Sequence, residues 1–197
     1  MRFYEEREAD IQQLEFGEYF ELLHAYATAL FEIGSYRKHL LMADVVIEIS
    51  ILQNIHEFKG KDVYCNMLFK KAASHFNLLE YDQAEHILRE LIKINPNDLD
   101  TVAFLKKCLR RQRPRYVKTS RAIAVLLFLL TAVTIALDIL VIRHFYALYE
   151  PTAILVRNTL FSTAWVILLA SDLWLRWQVE QRVNLFVEEV KTEKMNA

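Results

Sequence analysis

Histidine and cysteine are the residues of this chain that could most readily bind a metal ion or act as nucleophiles. His56 and Glu57 begin an HExxH-like pair, but position 60 is Gly60, so the second histidine of that zinc motif is absent. Cys65 and Cys108 lie far apart and form no CxxC pair, so we expect buried free thiols rather than a disulfide or a metal site. No phosphate-binding glycine loop or nucleophile-elbow motif occurs in the sequence. The sequence therefore predicts no catalytic residue, no metal site and no cofactor, and we expect a protein that is not an enzyme.

Charged residues inside two long apolar stretches are a second group that could carry chemistry. Asp138 lies near the end of residues 122–142, whereas Arg157 and Asp172 lie about one turn inside the ends of residues 153–175. Ionisable side chains within a bilayer are costly, so each is expected to have a partner or a function. In an antiparallel hairpin Asp138 and Arg157 lie near the same boundary, which predicts an ion pair that fixes helix packing. The alternatives are the lining of an oligomeric pore or proton path, and side chains that reach water independently.

The two apolar stretches are long enough to cross a membrane. Residues 122–142 span roughly 31 Å as a helix, close to the bilayer hydrocarbon thickness of about 30 Å. A buried soluble helix of this length and apolarity would be unusual. Residues 153–175 have aromatic residues near both ends, as membrane interfaces favour, although an interfacial helix is an alternative. Because the connection is short, the two helices must be antiparallel neighbours, and we predict a two-span transmembrane hairpin over residues 122–175.

Charge is strongly segregated along the chain. Residues 1–109 carry 12 Lys and Arg against 18 Asp and Glu. The following segment, the basic collar (residues 110–121), contains no acid and six basic residues: Arg110, Arg111, Arg113, Arg115, Lys118 and Arg121. Contact with nucleic acid is one interpretation, but the collar adjoins an apolar stretch, so attraction to anionic lipid headgroups is favoured and no nucleic acid is expected. The positive-inside rule then places both termini in the cytosol, in a plasma or inner membrane.

Composition favours helices throughout. Hydrophobic residues make up 54% of the 197 residues, and only three Gly and three Pro are present, which leaves little material for hairpins or barrels. The first residues are acidic and lack an apolar run, so we expect no cleavable signal peptide. An all-α chain is predicted.

One segment of the soluble half has the pattern of a helical repeat, carried by Leu68, Ala72, Tyr81, Ala84, Leu88 and Asn95-Pro96-Asn97-Asp98. It resembles a tetratricopeptide repeat. A weaker copy lies upstream at Leu23, Ala27, Leu30, Gly34, Tyr36 and Ala43, with His39 in the small position that Ala84 holds in the second copy. The resemblance covers about residues 17–111 and implies a solenoid of helical hairpins. It also implies that Ala27, Ala72 and Ala84 allow close helix contact and that Pro96 lies near a repeat end.

The sequence thus predicts four segments: a soluble tetratricopeptide-like domain (1–112), a basic juxtamembrane segment (113–121) that contains most of the collar, a transmembrane hairpin (122–175) and an amphipathic cytosolic helix (176–197). Tetratricopeptide-like modules bind peptides or helices, so the expected function is that of a membrane-anchored interaction adaptor or scaffold. Its expected partners are the lipid bilayer, an unidentified protein and further copies of the chain. The alternative function is an oligomeric channel- or pore-forming effector.

Overall fold

A computed structural model describes residues 15–58, 60–112, 114–142 and 150–196. The described part of the protein is all-helical, as the composition predicts, with 88% of the described residues in helices that pack against each other. The described helices are α1 (Phe16–Glu32), α2 (Tyr36–Leu52), α3 (Val63–Asn77), α4 (Tyr81–Ile94), α5 (Leu99–Gln112), α6 (Arg115–Leu137) and α7 (Glu150–Asn196). A π-helical turn, Asp138–Ile142, continues α6, and a two-residue ribbon of β1 (Glu57–Phe58) and β2 (Lys61–Asp62) joins α2 to α3.

The chain divides into two compact units, and one helix contributes to both. The first unit contains α1–α5 together with the residues from Val183 onward, and the second contains α6 and the part of α7 up to Arg182. The final segment of α7 therefore belongs to the same unit as the first five helices. The sequence predicts residues 176–197 as an amphipathic extension of the second apolar helix that packs on the soluble domain or on another copy of the chain.

Three helix ends in the first unit are closed by the same left-handed turn. After α1, Gly34 adopts φ +78°. The Ser35 amide donates to the carbonyl of Leu30 at 2.9 Å, which satisfies a carbonyl that the helix leaves unpaired. Asn54 (φ 55°) and Leu79 (φ 64°) occupy the corresponding positions after α2 and α3. Gly34 is the helix end that the sequence predicts, because glycine adopts positive φ without strain.

Aspartates begin two of the helices. The Asp62 carboxylate accepts the Cys65 amide at 2.8 Å at the start of α3. Asp98 accepts the Asp100 amide at 3.1 Å at the start of α5. The Asn95–Asp98 turn thus ends one helix and caps the next, as predicted.

The start of α4 differs from the sequence prediction. The spacing of Asp82 and Glu85 predicts a capping box, but α4 already begins at Tyr81, and its first residues have no side-chain cap. The Asp82 carboxylate instead accepts a hydrogen bond from the side chain of Gln112 at the end of α5. Asp82 therefore links two helices rather than capping one.

Successive helices of α1–α5 pack against one another, and alternate helices also touch. The rings of Phe69 on α3 and Phe104 on α5 lie 5.4 Å apart. The Lys70 ammonium on α3 donates to the Thr28 hydroxyl on α1 at 3.0 Å. Three fully buried alanines allow the close approach, namely Ala27, Ala72 and Ala84, and Pro96 lies in the turn between α4 and α5.

The end of α7 packs on α4. The Arg89 guanidinium lies over the Phe186 ring, 4.9 Å from its centroid. The Lys194 ammonium donates to the carbonyl of Ile94 at 2.6 Å, at the end of α4 where carbonyls lack helical partners. Val183 and Val190 are buried on the same face of α7.

The second unit is an antiparallel pair formed by α6 and α7. Phe128 on α6 touches Phe161 and Trp165 on α7, with ring centroids 5.8 and 6.3 Å apart. Tyr116, earlier on α6, donates to Gln178, later on α7, at 2.8 Å. The buried residues of α6 and its π-turn recur every seven positions, at Val117, Ala124, Thr131 and Asp138. This period is typical of helices that cross at a shallow left-handed angle.

Candidate functional site

The first unit has an open groove of about 600 Å³. Its wall is built from the end of α1, the start of α3, the end of α4 and the start of α5. The lining includes apolar side chains, namely Phe31, Phe69, Leu91 and Ile94. A second depression of about 340 Å³ lies beside α1 and shares Asp62, Asn66 and Lys70 with the first. Together the two depressions form a continuous surface, which we call the α1–α3–α5 groove.

Among the described residues that line this groove, acidic side chains outnumber basic ones. Asp62, Asp98 and Asp100 line the larger depression, and Glu32 lines the smaller one. Among the described residues, Lys70 is the basic side chain that lines both depressions. Its ammonium donates a hydrogen bond to the Thr28 hydroxyl. The groove therefore combines an apolar floor with an acidic rim.

Cys65 lines the groove, and the pKa of its thiol is raised. Burial, followed by the negative charges of Asp62 and Asp98, raises the pKa of its thiol to about 11. At neutral pH the side chain is a thiol, which neither attacks carbonyl carbon nor binds metal as readily as a thiolate. Cys108 is buried, its pKa is also raised to about 11, and its thiol donates to the carbonyl of Tyr81 at 3.3 Å. Both cysteines are free thiols, as the sequence predicts.

A buried polar pair lies between α2 and α3. His39 is fully buried, and its Nδ1 atom lies 2.8 Å from the Ser74 hydroxyl, while Nε2 has no hydrogen-bond partner. Burial lowers the pKa of His39 to about 4; the nearby positive charge of Lys70 contributes, and Asp44 opposes the shift. The sequence places His39 in a small-residue position, and the pairing with Ser74 explains how the larger ring is accommodated. Nothing in the sequence pattern marked Ser74 as its partner.

The structure distributes the basic collar over two helices. Arg110 and Arg111 lie in the last turn of α5, where positive charge complements the helix dipole. Arg115 and Lys118 are exposed in the first turns of α6. Arg113 lies outside the described residues.

The last residue of the collar, Arg121, makes an ion pair. Its guanidinium contacts the Asp172 carboxylate of α7 at 2.8 Å, and both side chains are partly exposed. Pairing of these two residues, one from the predicted collar and one from the predicted intramembrane group, was not part of the sequence interpretation.

The expected pair of Asp138 and Arg157 is not formed. The Arg157 guanidinium contacts the Asn158 side chain at 3.5 Å. Asp138 is only 4% exposed, and its Oδ1 atom has no hydrogen-bond partner. Asp138 continues the seven-residue series of buried positions on α6, so its side chain faces into the helix pair. The predicted ion pair was based only on the positions of Asp138 and Arg157 along the hairpin. Those positions do not show which face of its helix each side chain occupies.

The described part of the chain contains no cluster of histidine, cysteine and carboxylate side chains that could hold a metal ion. The groove residues that the sequence interpretation missed are Asp62, Asn66, Asp98 and Asp100. Asp62 and Asp98 could have been identified from the sequence, because an aspartate immediately before an apolar helical run marks a helix start. Both of these helix starts line the groove. No protein-family model, no curated protein and no solved structure matches this chain.

Proposed function

We propose that this chain is a membrane-anchored adaptor, in which helices α6 and α7 cross a bilayer and the α1–α3–α5 groove binds a segment of a partner protein. The α1–α3–α5 groove is the observation that carries the proposal, because it is concave, partly apolar and lined by polar groups that can hydrogen-bond a peptide. The Cys65 thiol in the groove is protonated at neutral pH, which favours binding over nucleophilic catalysis by this residue.

A tetratricopeptide-like solenoid is the arrangement we propose for α1–α5. The alternation of contacts supports it: each helix packs on the next, and α3 also touches α1 and α5. In such an arrangement α1, α3 and α5 share the concave face, which is where the groove lies. The burial of Ala27, Ala72 and Ala84 supports the positions that the resemblance assigns to close helix contact.

The apolar surface of the second unit supports a membrane-spanning role. Two helices, Arg115–Leu140 and Pro151–Asn196, are long and apolar enough to cross a bilayer. Their large exposed residues include Leu126, Leu129, Val133, Val166, Leu169 and Leu173. A soluble surface rarely carries so extensive an apolar patch, whereas hydrocarbon tails would cover it favourably. We propose that both termini face the cytosol, because the basic collar precedes the first helix.

A display experiment tests the adaptor function. The full chain in nanodiscs is used to select binders from a random peptide library, and each binder is re-tested on two variants. Asn66→Tyr places a large ring where both depressions meet, whereas Gln83→Tyr makes a comparable change at an exposed position on α4. The adaptor proposal expects binders that Asn66→Tyr weakens at least tenfold and Gln83→Tyr leaves unchanged. A library that yields no groove-dependent binder would refute it.

Labelling tests the topology. Single cysteines at positions 5, 147 and 195 are exposed to a membrane-impermeant maleimide in oriented vesicles. Cytosolic termini predict that positions 5 and 195 react from one side and position 147 from the other. Reaction of all three positions from the same side would refute the hairpin.

A conducting oligomer is the second candidate function, and Asp138 is the observation that favours it. A buried carboxylate with an unpartnered oxygen inside an apolar helix pair is an unusual feature for a simple anchor. Assembly of several copies could place such groups around a shared polar path. Ion conductance of the purified chain in liposomes, lost in Asp138→Asn, would favour this function, and absence of conductance would count against it.

A further inference from the structure

We infer that the segment bound in the α1–α3–α5 groove is basic, with a lysine or arginine placed beside an apolar residue. This inference rests on the proposed adaptor function and names the chemistry of its partner. The carrying observation is the juxtaposition of acidic and apolar side chains on one concave surface.

The acids of the groove come from separate elements and converge. Asp62 belongs to β2 at the start of α3, Asp98 and Asp100 to the start of α5, and Glu32 to the end of α1. Among the described residues, Lys70 is the basic side chain that lines both depressions, and its ammonium donates a hydrogen bond to the Thr28 hydroxyl. A bound cation would therefore meet several carboxylates, whereas a bound anion would be repelled.

Helix starts often attract anions, and two helix starts open onto this groove. Here those sites are filled by the chain itself. The Asp62 carboxylate accepts a hydrogen bond from the Cys65 amide. The Asp98 carboxylate accepts hydrogen bonds from the Asp100 amide at 3.1 Å and from the Thr101 hydroxyl at 2.5 Å. At each helix start one backbone donor is thus paired with a carboxylate of the chain itself, so negative charge already lies where an acidic partner would otherwise bind.

The apolar floor supplies the second half of the specificity. Ile94 is 42% exposed at the groove and Phe69 is half-buried there. An aliphatic or aromatic residue of the partner would cover this surface while a neighbouring lysine or arginine reaches the acidic rim. The stem of a long basic side chain can itself lie along apolar surface.

The chain's own basic collar is the rival occupant, supplied by a second copy. It is basic, but its arginines are followed by residues that enter the apolar helix α6. A collar engaged with the membrane surface would not be free for a groove. We therefore assign the groove to a different protein.

The experiment measures binding of defined peptides to the full chain in nanodiscs by fluorescence anisotropy. The probes are three degenerate ten-residue libraries with the same apolar positions, in which the polar positions are Lys/Arg, Asp/Glu or Ser/Gln. A fourth probe is a peptide of residues 110–121. The test variant carries Asp62→Asn, Asp98→Asn and Asp100→Asn, because asparagine keeps the helix caps while removing three charges. The matched control removes three exposed charges elsewhere, with Glu48→Gln, Glu188→Gln and Glu189→Gln.

The expected result is tightest binding by the Lys/Arg library, weakened about tenfold by the triple aspartate variant and by raised salt, with the control unchanged. Groove-dependent binding with no preference for Lys/Arg would overturn the basic-partner inference while leaving the adaptor function standing. Stronger binding by the collar peptide than by the library would overturn it in favour of a second copy. Failure of every probe to bind in a manner sensitive to Asn66→Tyr would overturn the adaptor function itself.

Discussion

Acidification should loosen the contact between α2 and α3, because His39 is buried there as a neutral ring. Its pKa is lowered from 6.5 to about 4, so between these values the unfolded chain binds a proton that the folded chain does not. Stability contributed by this group is therefore complete above pH 6.5 and is lost as the pH falls toward 4. The full shift corresponds to about 3 kcal/mol, and the fall from pH 7 to pH 5 to about 2 kcal/mol.

Hydrogen exchange of α2 and α3, followed by mass spectrometry on the full chain, measures this effect locally. After correction for intrinsic exchange rates, the opening equilibrium of these helices should rise about 30-fold from pH 7 to pH 5. His39→Asn keeps a polar atom near Ser74 and removes the titrating ring, so it should flatten this dependence. His86→Asn, at an exposed histidine on α4, is the matched control and should not.

An identical pH dependence in wild type and His39→Asn would refute the reasoning. The ring would then titrate as it does in water, and the desolvated environment between α2 and α3 could not be present in solution. A lower stability of His39→Asn at pH 7 is expected from lost packing, so the test is the slope with pH and not the absolute value.

Three further predictions test packing and charge. Ala84→Trp should destabilise the α1–α5 module by about 1–3 kcal/mol through overpacking. The control, Gln83→Trp at an exposed position, should be nearly neutral. Thermal melts that do not distinguish the two variants would refute close helix contact at Ala84. Leu79→Gly should raise the melting temperature, because leucine in the left-handed region costs about 1 kcal/mol that glycine avoids, less some loss of backbone entropy. Removing Arg121 or Asp172 singly should lower the thermal midpoint in nanodiscs, and the double substitution should recover part of the loss, since no single charge is left unpaired. Additive single effects would argue against that ion pair.

Local chemistry made the helix boundaries of the first unit predictable. Gly34 marks a left-handed helix end, and the Asn95–Asp98 turn contains both a helix end and a cap, so a few neighbouring residues determine each boundary. Leu79 and Asn54 adopt the same turn as Gly34 without a glycine, and their side chains gave little sign of it. The small positions that the resemblance to a tetratricopeptide repeat implies, Ala27, Ala72 and Ala84, are buried.

Contacts between distant residues were not predictable in the same way. The pairs His39–Ser74 and Arg121–Asp172 join different helices, and their formation depends on helix rotation and register. The predicted span began at residue 122, whereas α6 begins at Arg115, because apolarity marks the part suited to hydrocarbon and not the extent of the helix. The seven-residue spacing from Val117 to Asp138 did not stand out in the sequence, because apolar residues occupy nearly every position of residues 122–142 and so mark no buried face.

The packing of the α7 end on α4 has a consequence for the order of folding. Contacts among α1–α5 join helices close in sequence, so this module can form rapidly and begin while the chain is still being synthesised. The bond from Lys194 to the carbonyl of Ile94 spans 100 residues and cannot form until residue 194 has left the ribosome. One face of α4 therefore lacks its native cover while α5, α6 and most of α7 are being synthesised, and the docking of residues 183–196 is the step that completes the first unit.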